Sequence, residues 1–216
     1  MILHTAPQGS PEWHQARAGC ITGSMFATAR EKLKVGPNKG DYTTAAKDYA
    51  FRLAIERISG QPLDEGFETW AMKRGHELEP AARAEHEVAI GVLVQPVGFV
   101  TTDDGKFGAS ADGFIGTDGG AEYKCLVSPE RLRSVILTGD LSEFTDQMQG
   151  GMWITGRKWW DFGLYCPALA PIGRQFTHYR MMRDDNYIDA LELDLIAFER
   201  LVSENEAALR NFKEAA

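Results

Sequence analysis

Apolar residues return at helical intervals in two long stretches of the chain. Between Tyr42 and Ser59 the positions Ala46, Tyr49, Ala50, Leu53 and Ala54 share one face, and Gly60 supplies a stop, which predicts a helix there. From Asp185 onward Ile188, Leu191, Leu195, Phe198 and Leu201 repeat the pattern and predict a closing helix. The stretch "TWAMKRGHELEPAARAEHEVAIG" is also helical in pattern, although Gly75 and Pro80 blur where it starts. Near the beginning, Ser10 before Pro11 and Glu12 combines a capping hydroxyl, a first-turn proline and an acid at the positive helix end. A short helix should follow, "TGSMFATAREKLK" should form another, and "VGPNKGDY" reads as a loop.

In the middle the character changes. "VLVQPVGFVTT", "KFGASADGFIG" and "GAEYKC" are rich in β-branched and aromatic residues punctuated by Asp and Gly, which predicts a meander of strands. "SPERLRSVILTG" and "SEFTDQMQGGMWITG" read as helices, the first behind another Ser-Pro-Glu start, and "KWWDFGLYCP" and "FTHYRMMR" as two more strands. The order helices, strands, helices, strands, helix, without repeats, is that of one α+β domain spanning residues 1–216. At 216 residues with 44% hydrophobic positions the chain can bury a full core.

Composition narrows the class only modestly. No apolar run suits a bilayer and "MILHTAPQGSPEW" has no leader pattern, so a soluble, cytoplasmic protein with no membrane association is expected. Cys20, Cys125 and Cys166 are widely spaced with no CxxC pair, which fits a reducing compartment. A net charge of −8 argues against coating nucleic acid by bulk attraction but permits local basic patches.

Candidate chemistry concentrates in "SADGFIGTDGGAEYKC", Ser110 to Cys125. On a strand, Glu122 and Lys124 point to one face while Tyr123 and Cys125 point to the other, and Asp112 on a preceding strand can approach them. Carboxylates on adjacent strands suit Mg²⁺ or Mn²⁺, the Tyr123 carbonyl could add a neutral ligand, and a lysine beside the ion can orient a water and offset charge on a phosphoryl group. An exposed hairpin with a cross-strand Glu–Lys pair is the plainer reading of the same residues.

The stretch resembles the core motif of the PD-(D/E)xK nuclease superfamily. "PEWHQARAGCITGS", "RGHELEPAA" and "DQMQGGMWITGRKWWDFGLYCP", in that order, are similar to its phage λ exonuclease (YqaJ viral recombinase) branch. Ala111 departs from the proline of the family motif at a position that carries no ligand atom. The resemblance implies a restriction-endonuclease-like core, a central mixed β-sheet flanked by helices. It implies that Asp112, Glu122 and the Tyr123 carbonyl bind Mg²⁺, with Mn²⁺ able to substitute and two ions per site, that Glu79 completes the metal site, and that Lys124 positions the attacking water. It assigns Arg17, Ser24, Ser110 and Gln147 to a pocket for a terminal 5′ phosphate, chemistry that a guanidinium and neutral donors suit. Met72 matches an apolar wedge at the duplex end, a core methionine being the commoner use.

The function implied is a 5′-to-3′ exonuclease on linear double-stranded DNA that releases mononucleotides. A homotrimeric ring, a single-strand annealing protein as partner, and a phage or prophage gene in a bacterial host belong to the same implication. A restriction-like or structure-selective endonuclease and a catalytically silent DNA-binding scaffold are the alternatives. Among secondary features, Arg30, Lys32, Lys34 and Lys39 could track a phosphate backbone or simply be solvated. Trp153, Trp159 and Trp160 read as core, with base stacking the lesser alternative, and His76 and His86 lack the HExxH spacing of a zinc protease.

Overall fold

The computed structural model describes residues 1–63 and 69–212, and structural statements concern those residues. In chain order the elements are β1 (Ile2–His4), α1 (Pro11–Arg17), β2 (Ile21–Thr22), α2 (Phe26–Ala29), α3 (Thr44–Ser59) and α4 (Trp70–Ile90). There follow β3 (Phe99–Thr101), β4 (Phe107–Ala109), β5 (Gly113–Ile115), β6 (Gly119–Lys124) and α5 (Pro129–Arg133), which runs into a π-helical turn, Ser134–Thr138. The chain closes with α6 (Thr145–Thr155), β7 (Trp159–Tyr165), β8 (Phe176–Met182) and α7 (Asp185–Arg210).

Capping decides where the helices begin. Ser10, Thr43, Thr69 and Asp184 each accept a hydrogen bond from the main-chain N–H three residues on, satisfying a donor the first turn leaves open. Thr69 therefore sets the start of α4, and the helix continues through Gly75 and Pro80 to Gly91. The helix expected over "TGSMFATAREKLK" is a correction: only the 3₁₀ turn Gly23–Met25 and α2 form. Ile21 and Thr22 are drawn into a strand beside β4, and Lys32 bridges Tyr42 while the Leu33 N–H donates to the Asp41 carbonyl at 2.8 Å, which closes a loop instead of a helix.

Two compact units share the chain. The first comprises Met1–Glu65, Gly98–Ser110 and Asp184–Ala216 and holds the sheet β1-β3-β4-β2. Its core lies between α3 and α7, where Tyr49 stacks on Phe198 with ring centres 5.6 Å apart. The second comprises Gly66–Val97 and Ala111–Arg183 and holds the sheet β5-β6-β7-β8, with a parallel β6–β7 pair between antiparallel neighbours. The α+β class is as expected, a mixed sheet flanked by helices, accompanied by a second mixed sheet. The meander is not observed: "KFGASADGFIG" divides into β4 and β5, one in each sheet, and "VLVQPVGFVTT" contributes β3 only at its end. β1 and β2 lay outside every predicted strand; at three and two residues they are too short to show a period.

Alternation along β6 positions the chemistry. Ala121 and Tyr123 pack with Ala82 of α4, Val94 and Ile115. Gly120 carries no side chain because the Trp160 ring lies over it, 2.3 Å from where a Cβ would stand, and Gly119 is covered in the same way by Trp159. Trp160 is core as expected, whereas Trp153 and Trp159 are half-buried.

Candidate active site

Asp112 stands just before β5, where its main-chain N–H donates to the Ala121 carbonyl at 3.0 Å and extends the β5–β6 pairing. Its Oδ2 accepts the Tyr123 N–H at 2.5 Å. In a strand the N–H and C=O of one residue leave by the same edge, so the Tyr123 carbonyl projects on the side of Asp112. Glu122 is buried, and its Oε1 accepts from the Lys124 ammonium at 2.6 Å and from the Gln147 amide at 2.7 Å. The ammonium also donates to Gln147 Oε1 at 3.2 Å and lies 5.9 Å from the centre of the Phe144 ring. Glu122, Lys124 and Gln147 thus form a closed triangle on one face of β6.

The electrostatics are those of crowded acids beside the Lys124 ammonium. Burial, then the charges of Glu122 and Glu79, push the Asp112 carboxyl well above the usual carboxylate range. Burial and the charge of Glu122 also raise Glu79, against the opposing pull of Arg83, which it accepts at 2.9 Å. Burial works to lower Lys124, but Glu122 and Asp112 outweigh it and hold the ammonium above its ordinary value. Among the described residues no three Asp, Glu, His or Cys side chains are grouped so as to hold a metal ion. The donor chemistry nevertheless fits Mg²⁺, which needs only one or two carboxylates and keeps several waters, and a divalent ion would relieve the repulsion that raises Asp112 and Glu79.

The residues expected at a 5′ phosphate distribute unevenly. In the first unit, Arg17 Nη1 donates to Ser110 Oγ at 2.8 Å, its guanidinium covering the Trp13 ring at 4.1 Å. Ser24 is exposed on the 3₁₀ turn Gly23–Met25, which packs on β4, the strand that ends beside Ser110. Gln147 lies in the second unit and is engaged with Glu122 and Lys124. Met72 is 54% exposed in the first turn of α4, next to Trp70 at 69%, so neither is a core residue. In the basic stretch Arg30 is paired with Asp194 at 2.6 Å and Lys32 covers Tyr42, while Lys34 and Lys39 are exposed.

Several neighbours escaped the sequence reading. Arg74 donates to the Cys125 carbonyl at 2.8 Å and ties α4 to the end of β6. Phe144 beside Lys124 had no signal, because one aromatic at a helix start has many uses. His86, named in the sequence only for lacking a zinc-protease spacing, had a signal that went unused: it follows Glu79 by seven positions, so both occupy one stripe of α4.

A family model described as the YqaJ-like viral recombinase domain matches residues 12–158, which include Arg17, Glu79, Asp112, Glu122, Lys124 and Gln147. The chain is similar to an alkaline exonuclease, LHK-Exo, from Laribacter hongkongensis: identity is 32% over 93% of this chain and 97% of that one, with a TM-score of 0.78. The same exonuclease solved in complex with dAMP superposes with a TM-score of 0.80 at the same identity and coverage. A phage related exonuclease from Haemophilus somnus 129PT, 17% identical over 88% of this chain and 96% of that one, shares the fold with a TM-score of 0.67. No match was found among curated proteins.

Proposed function

Because the chain belongs to the YqaJ-like viral recombinase family, we propose that it is a divalent-metal-dependent exonuclease acting on linear double-stranded DNA from the 5′ end. It releases 5′-mononucleotides and leaves a 3′ single-stranded overhang. The observation that carries the reading is the lysine clasp: an ammonium held 2.6 Å from Glu122 and 3.2 Å from Gln147, on the strand beside Asp112. An ion pair on an open hairpin would be solvated, whereas Glu122 is 4% exposed and carries a second donor. The neighbour solved with dAMP supports a nucleotide product.

Asp112, Glu122 and the Tyr123 carbonyl would hold the ion or ions, with Glu79 alongside. Mg²⁺, or Mn²⁺ in its place, would supply Lewis acidity toward phosphate oxygens. The Lys124 ammonium orients the attacking water and balances charge that gathers on the phosphoryl group, while Gln147, bonded to both Lys124 and Glu122, fixes the direction of the pair. In the first unit Arg17, with Ser110 and Ser24, offers donors to a terminal phosphate. A ring of three subunits, an annealing protein as partner and action in the bacterial cytoplasm complete the reading on family grounds. Among the described residues no helix is long and apolar enough to cross a membrane.

The test is a timed digest of end-labelled linear duplex, with and without chelator, beside a closed circular duplex. Labelled mononucleotide from the 5′ end, dependent on metal and absent from the circle, is the expected result. Cutting of the circle would turn the reading to an endonuclease, and full activity of Lys124→Ala would remove the lysine from the chemistry.

A further inference from the structure

On the far face of β6 from Glu122 and Lys124, a line of polar groups is buried within the second unit. His86 Nδ1 lies 3.0 Å from the Tyr123 hydroxyl and Nε2 lies 3.2 Å from Asp161 Oδ2. Asp161, on β7, also accepts Nε and Nη2 of Arg180 from β8 at 2.7 and 2.9 Å. His86 and Asp161 are both 0% exposed. An ionised carboxylate only accepts, so Nε2 carries a hydrogen and, in the neutral ring, Nδ1 takes the hydrogen of the Tyr123 hydroxyl.

Every member of this line has a partner, yet burying a carboxylate and an imidazole costs more than filling the same space with apolar side chains. The choice is explained by where the line ends. Tyr123 is the residue between Glu122 and Lys124, and its N–H is the donor to Asp112 Oδ2. His86 shares its stripe of α4 with Ala82, which is fully buried, and with Glu79. One side chain therefore grips both the strand that carries Glu122 and Lys124 and the helix that carries Glu79.

We propose that His86, oriented by Asp161, is a positioning residue for the nuclease reaction: through the Tyr123 hydroxyl it sets the roll of β6, and through α4 it sets the depth of Glu79. The inference rests on the function proposed above. Loss of the hydroxyl leaves Tyr123 packed but free to rotate with its strand, so the carboxylates and the lysine keep their identity and lose their aim. Supporting partners one layer behind a metal site carry effects of this kind, about 10-fold to 100-fold on activity.

The experiment uses the full chain and steady-state digestion of 5′-phosphorylated linear duplex. Tyr123→Phe keeps the ring and should lower kcat about 10-fold, leaving KM for DNA ends within about twofold. His86→Leu should lower kcat at least as far, and the double variant should be no slower than the slower single one, as for residues acting as a unit. His86→Gln, whose amide can donate to Asp161 and accept from Tyr123, should recover most of the rate. A purely structural role would lower Tm and leave kcat per folded molecule unchanged. Wild-type kcat in Tyr123→Phe overturns the inference, and so does additivity in the double variant. If His86→Leu does not fold, Tyr123→Phe and His86→Gln decide alone. A wild-type protein inert on DNA defeats the function itself, a result distinct from an active wild type with an equally active Tyr123→Phe.

Discussion

Replacing Asp112 by asparagine should make the protein more stable while abolishing its activity. The Asp112 carboxyl is held well above its ordinary value of 3.8 by burial and by the charges of Glu122 and Glu79, so at pH values above that ordinary one the acid works against folding. Asparagine keeps the shape, keeps an oxygen for the Tyr123 N–H now bonded at 2.5 Å, and turns an NH₂ toward the neighbouring acids. One like-charge repulsion is lost and no packing is disturbed. The gain is on the order of 1–2 kcal/mol, the scale on which relief of a strained functional group stabilises a protein. For a chain of this length that is a rise in Tm of about 2–4 °C per kcal/mol. The assay is a thermal melt followed by circular dichroism at about pH 8 in chelator, repeated with millimolar Mg²⁺, together with the duplex digest. With Mg²⁺ the wild type should gain stability by mass action and Asp112→Asn should gain little, so the difference narrows. An Asp112→Asn protein that melts at or below the wild-type temperature in chelator would show that the acids do not oppose one another, and the argument for a cation between them would fail.

Arg17→Ala should cut kcat/KM on 5′-phosphorylated ends about 10-fold to 100-fold, the worth of a charged hydrogen bond, and barely change digestion from 5′-hydroxyl ends. Equal losses on both ends would exclude an end-phosphate role. In the first unit, burial tends to raise Glu199, but hydrogen bonds from Arg57, Lys106 and Ser203 prevail and hold its carboxyl below the ordinary value. Its contribution is therefore complete above the unfolded value of 4.5 and fades as pH falls through the lower folded one. Glu199→Gln should flatten the acid limb of a plot of urea midpoint against pH, and an unchanged limb would assign acid unfolding elsewhere. Gly120→Ala would place a methyl 2.3 Å from the Trp160 ring and should cost about 1–3 kcal/mol in urea unfolding; a neutral result would mean the indole can move aside.

What was legible in the sequence had a long period or a strong local rule. α3, α4 and α7 show helical repeats over many turns, and the Ser-Pro-Glu sequence at Ser10 marks the start of α1, whereas the caps at Thr43, Thr69 and Asp184 emerge only in the fold. The face shared by Glu122 and Lys124 follows from strand alternation and is observed as a direct 2.6 Å pair. Tertiary pairing was not legible. The bridge between Lys32 and Tyr42 overrode a helical pattern that propensity alone would have continued. Nothing in "KFGASADGFIG" announces that its halves join different sheets, because three-residue strands read alike wherever they pair. Gln147 was assigned a place from the family, yet its bond to Glu122 depends on how α6 lies on β6, which no local rule encodes. The partnership of His86 with Asp161 spans 75 positions and two kinds of element, beyond any spacing argument.

The indoles over Gly119 and Gly120 impose a demand that is indifferent to turnover. The opening half of β6 must stay bare for Trp159 and Trp160 to lie flat, whether or not the closing half ever meets a substrate. A degenerate copy of this gene, freed from selection for cleavage, would let the acid and the lysine drift while its glycines and tryptophans persisted. Such a fossil would be recognised by its steric signature long after its chemical one had gone.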